Sequence, residues 1–421
     1  MSTESASGAD GAASRPTQPR GAADRVAQVH RQARPTFVIA ALFAVASPIA
    51  GAVPHNTGIW LPLHLFLVGS VLGAILAATQ LLSVTWSASP APANWLANVQ
   101  RALLYGGVAA IATGREVDVD AITGLGGTAV VAALALLIVS LIQIRNSAVT
   151  DRYRPAIHGY CTAAGFGIVG SSLGVAMASG AFSTSTVNVR GIHIAANALG
   201  LVGVVIAATL PYFVATQARM KMSRTATPAR VHIVIASLAT STLLTMLGWA
   251  IDIEAVAAIG LWAYAASVLG VVALMPHVGR KQLDWAGPRL IQLTAGFAWW
   301  VAAVVLLGTN ALFEAPSLNS GLRVLVVGGY AQILFASLAY FAPVILAGKR
   351  KPGDGLRITR SWVAVVAANV AAVGALLGQN LVLTAGIVVW LAEAAFRMAQ
   401  LGRFARAQSG SAGSGSAGSA A

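Results

Sequence analysis

Residues 63–79 read LHLFLVGSVLGAILAAT, a stretch with one histidine, two small hydroxyl side chains and no charged residue. The stretch lies within an apolar run that covers residues 59–86. At about 1.5 Å of rise per residue, this run is longer than the hydrocarbon core of a bilayer is thick, about 30 Å. It therefore predicts a transmembrane helix.

The rest of the chain has the same character. Of its 421 residues 57% are hydrophobic and 10% are charged, and the mean hydropathy is +0.75. Because soluble domains carry about 25% charged residues, this composition excludes a water-soluble globular protein. The sequence predicts an all-α, polytopic membrane protein with about 12 transmembrane helices. The apolar runs cover residues 36–53, 59–86, 98–114, 121–144, 155–182, 191–217, 231–251, 255–278, 290–313, 324–347, 361–377 and 381–399.

The basic residues orient these helices. With a cytoplasmic N-terminus, 24 of the 27 lysines and arginines fall on the inner side, and only Arg115, Arg190 and Arg323 fall outside. Such a bias follows the positive-inside rule, so we expect a plasma-membrane protein with both termini in the cytoplasm. The net charge of +14 comes from these same basic residues on the inner side. We therefore expect the lipid bilayer, and no nucleic acid, as the partner of these charges.

Composition divides the chain into three regions. Residues 1–34 are polar and predict a disordered cytoplasmic tail, residues 35–405 form the transmembrane domain, and residues 406–421 have the Gly/Ser-rich composition of a flexible tail.

An internal echo links the second and sixth apolar runs. Residues 73–79 read GAILAAT and residues 203–209 read GVVIAAT, 130 positions later. A weaker match places Gly328 of the tenth run opposite Gly69. This spacing predicts a threefold pseudo-repeat of four helices, although glycine and alanine also recur in helices with no such relation.

Histidines are the polar residues that the helix directions bring together. His64 opens the second helix and His193 opens the sixth, so we expect both at similar depth near the outer face, with His55 in the preceding outer loop. A neutral imidazole is the usual protein ligand of heme iron and a good ligand of copper. The pattern predicts His64 and His193 as ligands of heme b or copper, and His55 as a further metal ligand. A membrane histidine also often only donates a hydrogen bond to a neighbouring carbonyl.

Small residues follow both histidines: Gly69 and Gly73 in the second helix, Gly200 and Gly203 in the sixth. Glycine lets a backbone approach either another helix or a flat macrocycle, and both interpretations stay open at this point.

The other polar groups predict structural roles. Glu393 and Arg397 have the spacing of an ion pair within one helix. His158 is expected to cap a helix or contact lipid, and His232 and His277 are expected at the inner interface. No motif of a soluble enzyme occurs in a usable context, so catalytic residues stay unassigned.

The stretches LHLFLVG (63–69), TLPYF (209–213) and ATQARMKM (215–222) look like the membrane part of actinobacterial proteins labelled copper oxidase or copper nitrite reductase. Twelve helices in a three-by-four arrangement, with a histidine near the outer end of the second, resemble heme-copper oxidase subunit I and, more closely, NnrS-type proteins. The resemblance implies heme b or copper at His64 and His193. It also implies electron transfer between quinone and an external cupredoxin partner, or nitric oxide or nitrite metabolism.

The sequence departs from these families at two points. The tenth helix has no histidine and no His-His pair occurs, so a binuclear oxygen-reducing centre is not expected. No cupredoxin follows the helices, so nitrite reduction by this chain alone is not expected either. A membrane redox protein is the leading hypothesis. The alternatives are a secondary transporter or channel-like protein and a non-catalytic membrane anchor or assembly factor.

Overall fold

A computed structural model describes residues 21–185, 187–313, 318–347 and 353–414. In this part of the chain every regular element is a helix, and twelve of the helices are long. Eleven of these twelve are long and apolar enough to cross a membrane, α11 together with the short helix Gly355–Ile358 before it, which makes the chain a polytopic membrane protein. The long helices are α1 (Ala22–Ala52), α2 (Trp60–Ser87), α3 (Asn94–Glu116), α4 (Asp120–Asn146), α5 (Arg154–Ala178), α6 (Val189–Gln217), α7 (Pro228–Ala250), α8 (Glu254–Leu274), α9 (Pro288–Leu312), α10 (Ser320–Ala347), α11 (Trp362–Leu376) and α12 (Asn380–Ser414).

The exception is α3, whose first half carries Arg101 and several amides. At its start the Gln32 side chain of α1 donates a hydrogen bond to Asn94 Oδ1 at 2.7 Å. At its end the backbone N–H of Asn56, in the loop after α1, donates to Glu116 Oε2 at 3.0 Å. Helix α3 therefore extends along the whole apolar length of α1.

Helices α1 and α12 extend into the two segments that the sequence predicted to be tails. Helix α1 begins at Ala22, so residues 22–34 are helical, whereas the sequence predicted a disordered tail there. The reason is that Val29, Ala33 and Phe37, spaced four residues apart, are buried and continue the apolar stripe through the arginine-rich segment. Helix α12 reaches Ser414, beyond the predicted boundary at residue 406. The rest of both tails, residues 1–20 and 415–421, lies outside the described residues.

Three helices form the centre of the bundle. In the most apolar stretch of α2, α6 and α10, 78%, 89% and 61% of the residues are buried, against 50% or less in each of the other candidate spans. The remaining helices therefore surround these three.

Each central helix contains a π-helical segment, at Leu65–Leu72, Ala195–Gly203 and Val324–Ala331. The wider π turn frees backbone carbonyls, and π segments are frequent at functional sites. In α6 the Tyr264 hydroxyl donates to the Leu199 carbonyl at 3.0 Å, and the Tyr330 hydroxyl donates to the Ala198 carbonyl at 2.7 Å. These bonds satisfy backbone groups that no water reaches in a bilayer.

An aromatic side chain packs on a glycine of each π segment. The pairs are Gly69 with Phe43, Gly200 with Phe166 and Gly328 with Trp299. A Cβ atom at any of these glycines would lie no more than 3.0 Å from the aromatic side chain. Each glycine thus lets an outer helix pack directly against a central one.

Close backbone contact also joins α3 to α4. A Cβ atom at Gly107 would lie 2.7 Å from the carbonyl oxygen of Gly126, whereas a Cβ atom at the neighbouring Gly106 would meet nothing within 4 Å. Gly107 is therefore packed against the backbone of α4, whereas Gly106 faces open space.

We expect Gly107→Ala to lower the free energy of unfolding by roughly 1–3 kcal/mol, because the added methyl group overpacks a backbone contact. Gly106→Ala is the matched control and should be neutral or stabilising by up to about 1 kcal/mol, as alanine is the better helix former. Thermal unfolding of both variants in detergent measures the difference. Equal effects would contradict the described α3–α4 contact.

Candidate functional site

The structure brings His64 and His193 together. Their ring centroids lie 6.5 Å apart, and the ring planes are inclined by 23°. His64 is the last residue before the π segment of α2, and His193 lies two residues before that of α6. Both side chains are half-buried. The expectation that helix direction places the two imidazoles at the same end of the bundle is confirmed.

Each imidazole is oriented by a backbone carbonyl. His64 Nδ1 lies 2.8 Å from the Trp60 carbonyl oxygen, and His193 Nδ1 lies 2.7 Å from the Gly170 carbonyl oxygen. Because a carbonyl oxygen only accepts hydrogen bonds, both Nδ1 atoms carry the proton in these bonds. Each neutral ring then keeps its Nε2 lone pair, the arrangement that second-shell partners impose on metal-binding histidines.

Neighbouring side chains hold the two rings in place. The Trp60 ring stacks on His64 with centroids 4.0 Å apart, and the Arg115 guanidinium lies over Trp60 at 5.6 Å. On the other side, Asn197 Nδ2 donates to the His193 carbonyl oxygen at 3.0 Å. Trp60 therefore covers one imidazole, and Asn197 bonds to the backbone that carries the other.

Two glycines of α5 allow His193 to reach the backbone. A Cβ atom at Gly174 would lie 3.0 Å from the His193 ring, and one at Gly170 would lie 2.3 Å from Asn197. Neither these glycines nor the stacking of Trp60 was predicted from the sequence. A four-residue spacing of small residues is the signal that indicates such a close helix approach.

His55 does not join the pair. Its Nδ1 lies 3.6 Å from Glu116 Oε1 and 3.3 Å from the Thr57 hydroxyl, so it ties the loop after α1 to the end of α3. Within the described residues no group of three or more His, Cys, Asp or Glu side chains is placed to hold a metal ion. His55 therefore lies apart from His64 and His193, and has Glu116 and Thr57 as its neighbours.

The glycines after the histidines pack against protein. Gly69 and Gly200 lie against the phenylalanine rings described above. A Cβ atom at Gly73 would lie 2.4 Å from the Tyr105 hydroxyl, and one at Gly203 would lie 1.9 Å from the Tyr264 hydroxyl. Of the two interpretations left open by the sequence, the structure favours helix packing over the approach of a macrocycle.

A small cavity of about 10 Å³ lies beside His64, on the side that faces α3. Its lining includes Leu61, Val68 and Ile111 but not His193, so it is separate from the space between the two imidazoles.

A second pair of imidazoles lies at the opposite end of the bundle. His158 Nδ1 and His232 Nε2 are 3.1 Å apart, so one ring donates a hydrogen bond to the other. The sequence assigned His158 to capping or lipid contact and His232 to the interface. In the structure each ring has the other as its partner, because α5 and α7 meet at these side chains.

The predicted ion pair between Glu393 and Arg397, in the middle of α12, is confirmed. Arg397 Nε lies 2.7 Å from Glu393 Oε1, which also accepts a hydrogen bond from the Ser361 hydroxyl at 2.6 Å. Ser361 caps the start of α11, so this pair fixes α11 against α12.

Comparison with known proteins gives no family assignment: the chain matches no protein-family model and no curated protein. The resemblance drawn from the sequence motifs therefore carries weight only as a proposal.

We expect ¹⁵N NMR spectra of histidine-labelled protein without added metal to show His64 and His193 as neutral rings protonated at Nδ1. The physical reason is their hydrogen bonds to the Trp60 and Gly170 carbonyls. His64→Ala and His193→Ala assign the two signals, and exposed His277 serves as the reference ring. Protonation at Nε2 in either ring would contradict the described orientation.

Proposed function

We propose that the chain crosses the plasma membrane twelve times, with both termini in the cytoplasm. The contacts of α3 with both ends of α1 support the twelfth crossing, because they place α3 along the full length of a membrane-spanning helix. An even number of crossings agrees with the distribution of the basic residues.

We also propose that the twelve helices form a threefold pseudo-repeat of four. The support is that α2, α6 and α10, four helices apart, share a central position, a π segment and a glycine beneath an aromatic ring. In this arrangement Arg323, directly before the π segment of α10, takes the position that His64 has in α2.

We propose that His64 and His193 together bind one transition-metal ion, copper foremost, in a membrane protein that transfers electrons. One observation carries this proposal: two imidazoles lie 6.5 Å apart with both Nδ1 atoms bonded to backbone carbonyls. Neither Nε2 has a hydrogen-bond partner in the described part of the chain. Copper is favoured because it binds nitrogen sites most tightly of the first-row divalent ions. Structural zinc takes four protein ligands, and this pair offers two.

Copper, when bound, supplies a one-electron carrier near the surface of the membrane. The protein supplies the rest: two fixed nitrogen donors, and the Trp60 ring that covers His64. Following the family resemblance, we propose quinone as the electron donor and an external cupredoxin as the acceptor, with nitric oxide or nitrite as the alternative substrates.

Metal analysis of the purified protein tests the site. After copper loading and desalting, we expect about one copper ion per chain and no b-type heme absorption. His64→Ala and His193→Ala should each weaken copper binding on the order of 100-fold or more, because one of two ligands is lost. His277→Ala, which removes an exposed imidazole, is the matched control and should bind copper as the wild type does.

The other outcomes decide between the hypotheses. A heme spectrum that disappears in His64→Ala would replace copper by heme b. Unchanged copper binding in both variants would exclude the pair as a metal site. In that case substrate uptake by proteoliposomes would favour a transporter, and loss of a partner complex on deletion would favour an anchor or assembly factor.

A further inference from the structure

Three arginines lie close together at one end of the bundle, two of them against the ring of Trp285. Arg219 follows the end of α6, Arg289 is the second residue of α9, and Arg360 lies two residues before α11. The guanidinium carbon of Arg219 lies 3.3 Å from the centre of the Trp285 ring, and that of Arg360 lies 5.4 Å from it. Segments far apart in the chain thus bring three positive charges together.

Arg289 is the buried member of this cluster. It is 2% exposed, and both its Nη1 and its Nη2 lack a hydrogen-bond partner. Its described contacts are a long hydrogen bond from Nε to the Ala286 carbonyl, 3.4 Å, and the face of the Tyr340 ring at 5.8 Å. Burying a charged group without a partner is costly, so a guanidinium in this position calls for an anion.

The described side chains do not supply that anion. None of the ion pairs between described residues includes Arg219, Arg289 or Arg360. Instead, the charges of Arg219 and Arg360 repel that of Arg289. The cluster therefore has an excess of positive charge around unpaired N–H groups.

The backbone holds the cluster in a fixed shape. Gly287, between the short helix Arg280–Ala286 and α9, has φ +60° and ψ −148°, a conformation open essentially to glycine alone. The Arg360 side chain lies over this glycine, and its Nη1 donates to the Asp284 carbonyl at 3.1 Å. Arg360 is thus fixed beside Arg289 by the turn that begins α9.

We propose that Arg219, Arg289 and Arg360 form a binding site for a phosphate-type oxyanion, supplied by the headgroup of an anionic phospholipid or by free phosphate. Guanidinium groups bind phosphate oxygens through paired N–H donors, and the unpaired Nη atoms of Arg289 provide such donors. The site lies where three helices begin or end, the level at which tryptophan and tyrosine meet lipid headgroups.

Reconstitution of the full chain in nanodiscs tests this proposal. In pure phosphatidylcholine, stepwise replacement by phosphatidylglycerol measures headgroup binding. A titration of inorganic phosphate in the same discs measures binding of the free anion. We expect the unfolding temperature of the wild type to rise with at least one of the two. A rise with phosphatidylglycerol alone identifies the lipid headgroup, and a rise with phosphate identifies the free anion as sufficient.

Substitutions of the arginines test whether the rise in unfolding temperature depends on the cluster. Arg289→Gln should abolish the rise, and in pure phosphatidylcholine it should be at least as stable as the wild type because it removes an unpaired buried charge. Arg360→Gln, at a less buried position, should weaken binding about tenfold and decides the question if Arg289→Gln does not fold. Arg230→Gln, at an exposed arginine that begins α7, is the matched control. The proposal is overturned if neither anion stabilises the wild type, or if Arg289→Gln and Arg360→Gln respond as Arg230→Gln does.

Discussion

The candidate site depends on two hydrogen bonds, from His64 Nδ1 to the Trp60 carbonyl and from His193 Nδ1 to the Gly170 carbonyl. In a bilayer each polar group has to find its partner inside the protein. These two bonds satisfy Nδ1 of each ring and set its tautomer. They leave the lone pair of Nε2 free to bind a metal ion. Without them the rings would be free to rotate, and their 6.5 Å separation would not fix where the two Nε2 lone pairs point.

The packing of small residues makes these bonds possible. Glycines at the helix contacts let backbones and aromatic rings approach closely. Gly69 leaves room for the Phe43 ring, and Gly174 of α5 leaves room for the His193 ring in the same way. The site therefore belongs to the packed centre of the bundle, at the ends of two of its three most buried helices. Arg289, in contrast, is buried with both of its Nη atoms unpaired.

Hydropathy and charge predicted most of the fold, because a bilayer constrains length and composition strongly. Helix direction alone indicated that His64 and His193 lie at one end, and residue spacing indicated the Glu393–Arg397 pair. The sequence did not predict the features that depend on contacts between distant helices. The π segments depend on partners such as Tyr264 from another helix. His55 was assigned to the metal set from its place in the chain, but Glu116, 61 positions later, is its partner. The pairing of His158 with His232 and the burial of Arg289 likewise depend on how distant helices meet.

We propose that one metal ion binds between His64 and His193. X-ray absorption at the copper edge of the loaded protein tests this most directly, because the spectrum reports the atoms bound to the metal. We expect about two nitrogen neighbours at about 2 Å, with the outer-shell pattern of imidazole rings. A spectrum dominated by sulfur, or one without imidazole scattering, would contradict it.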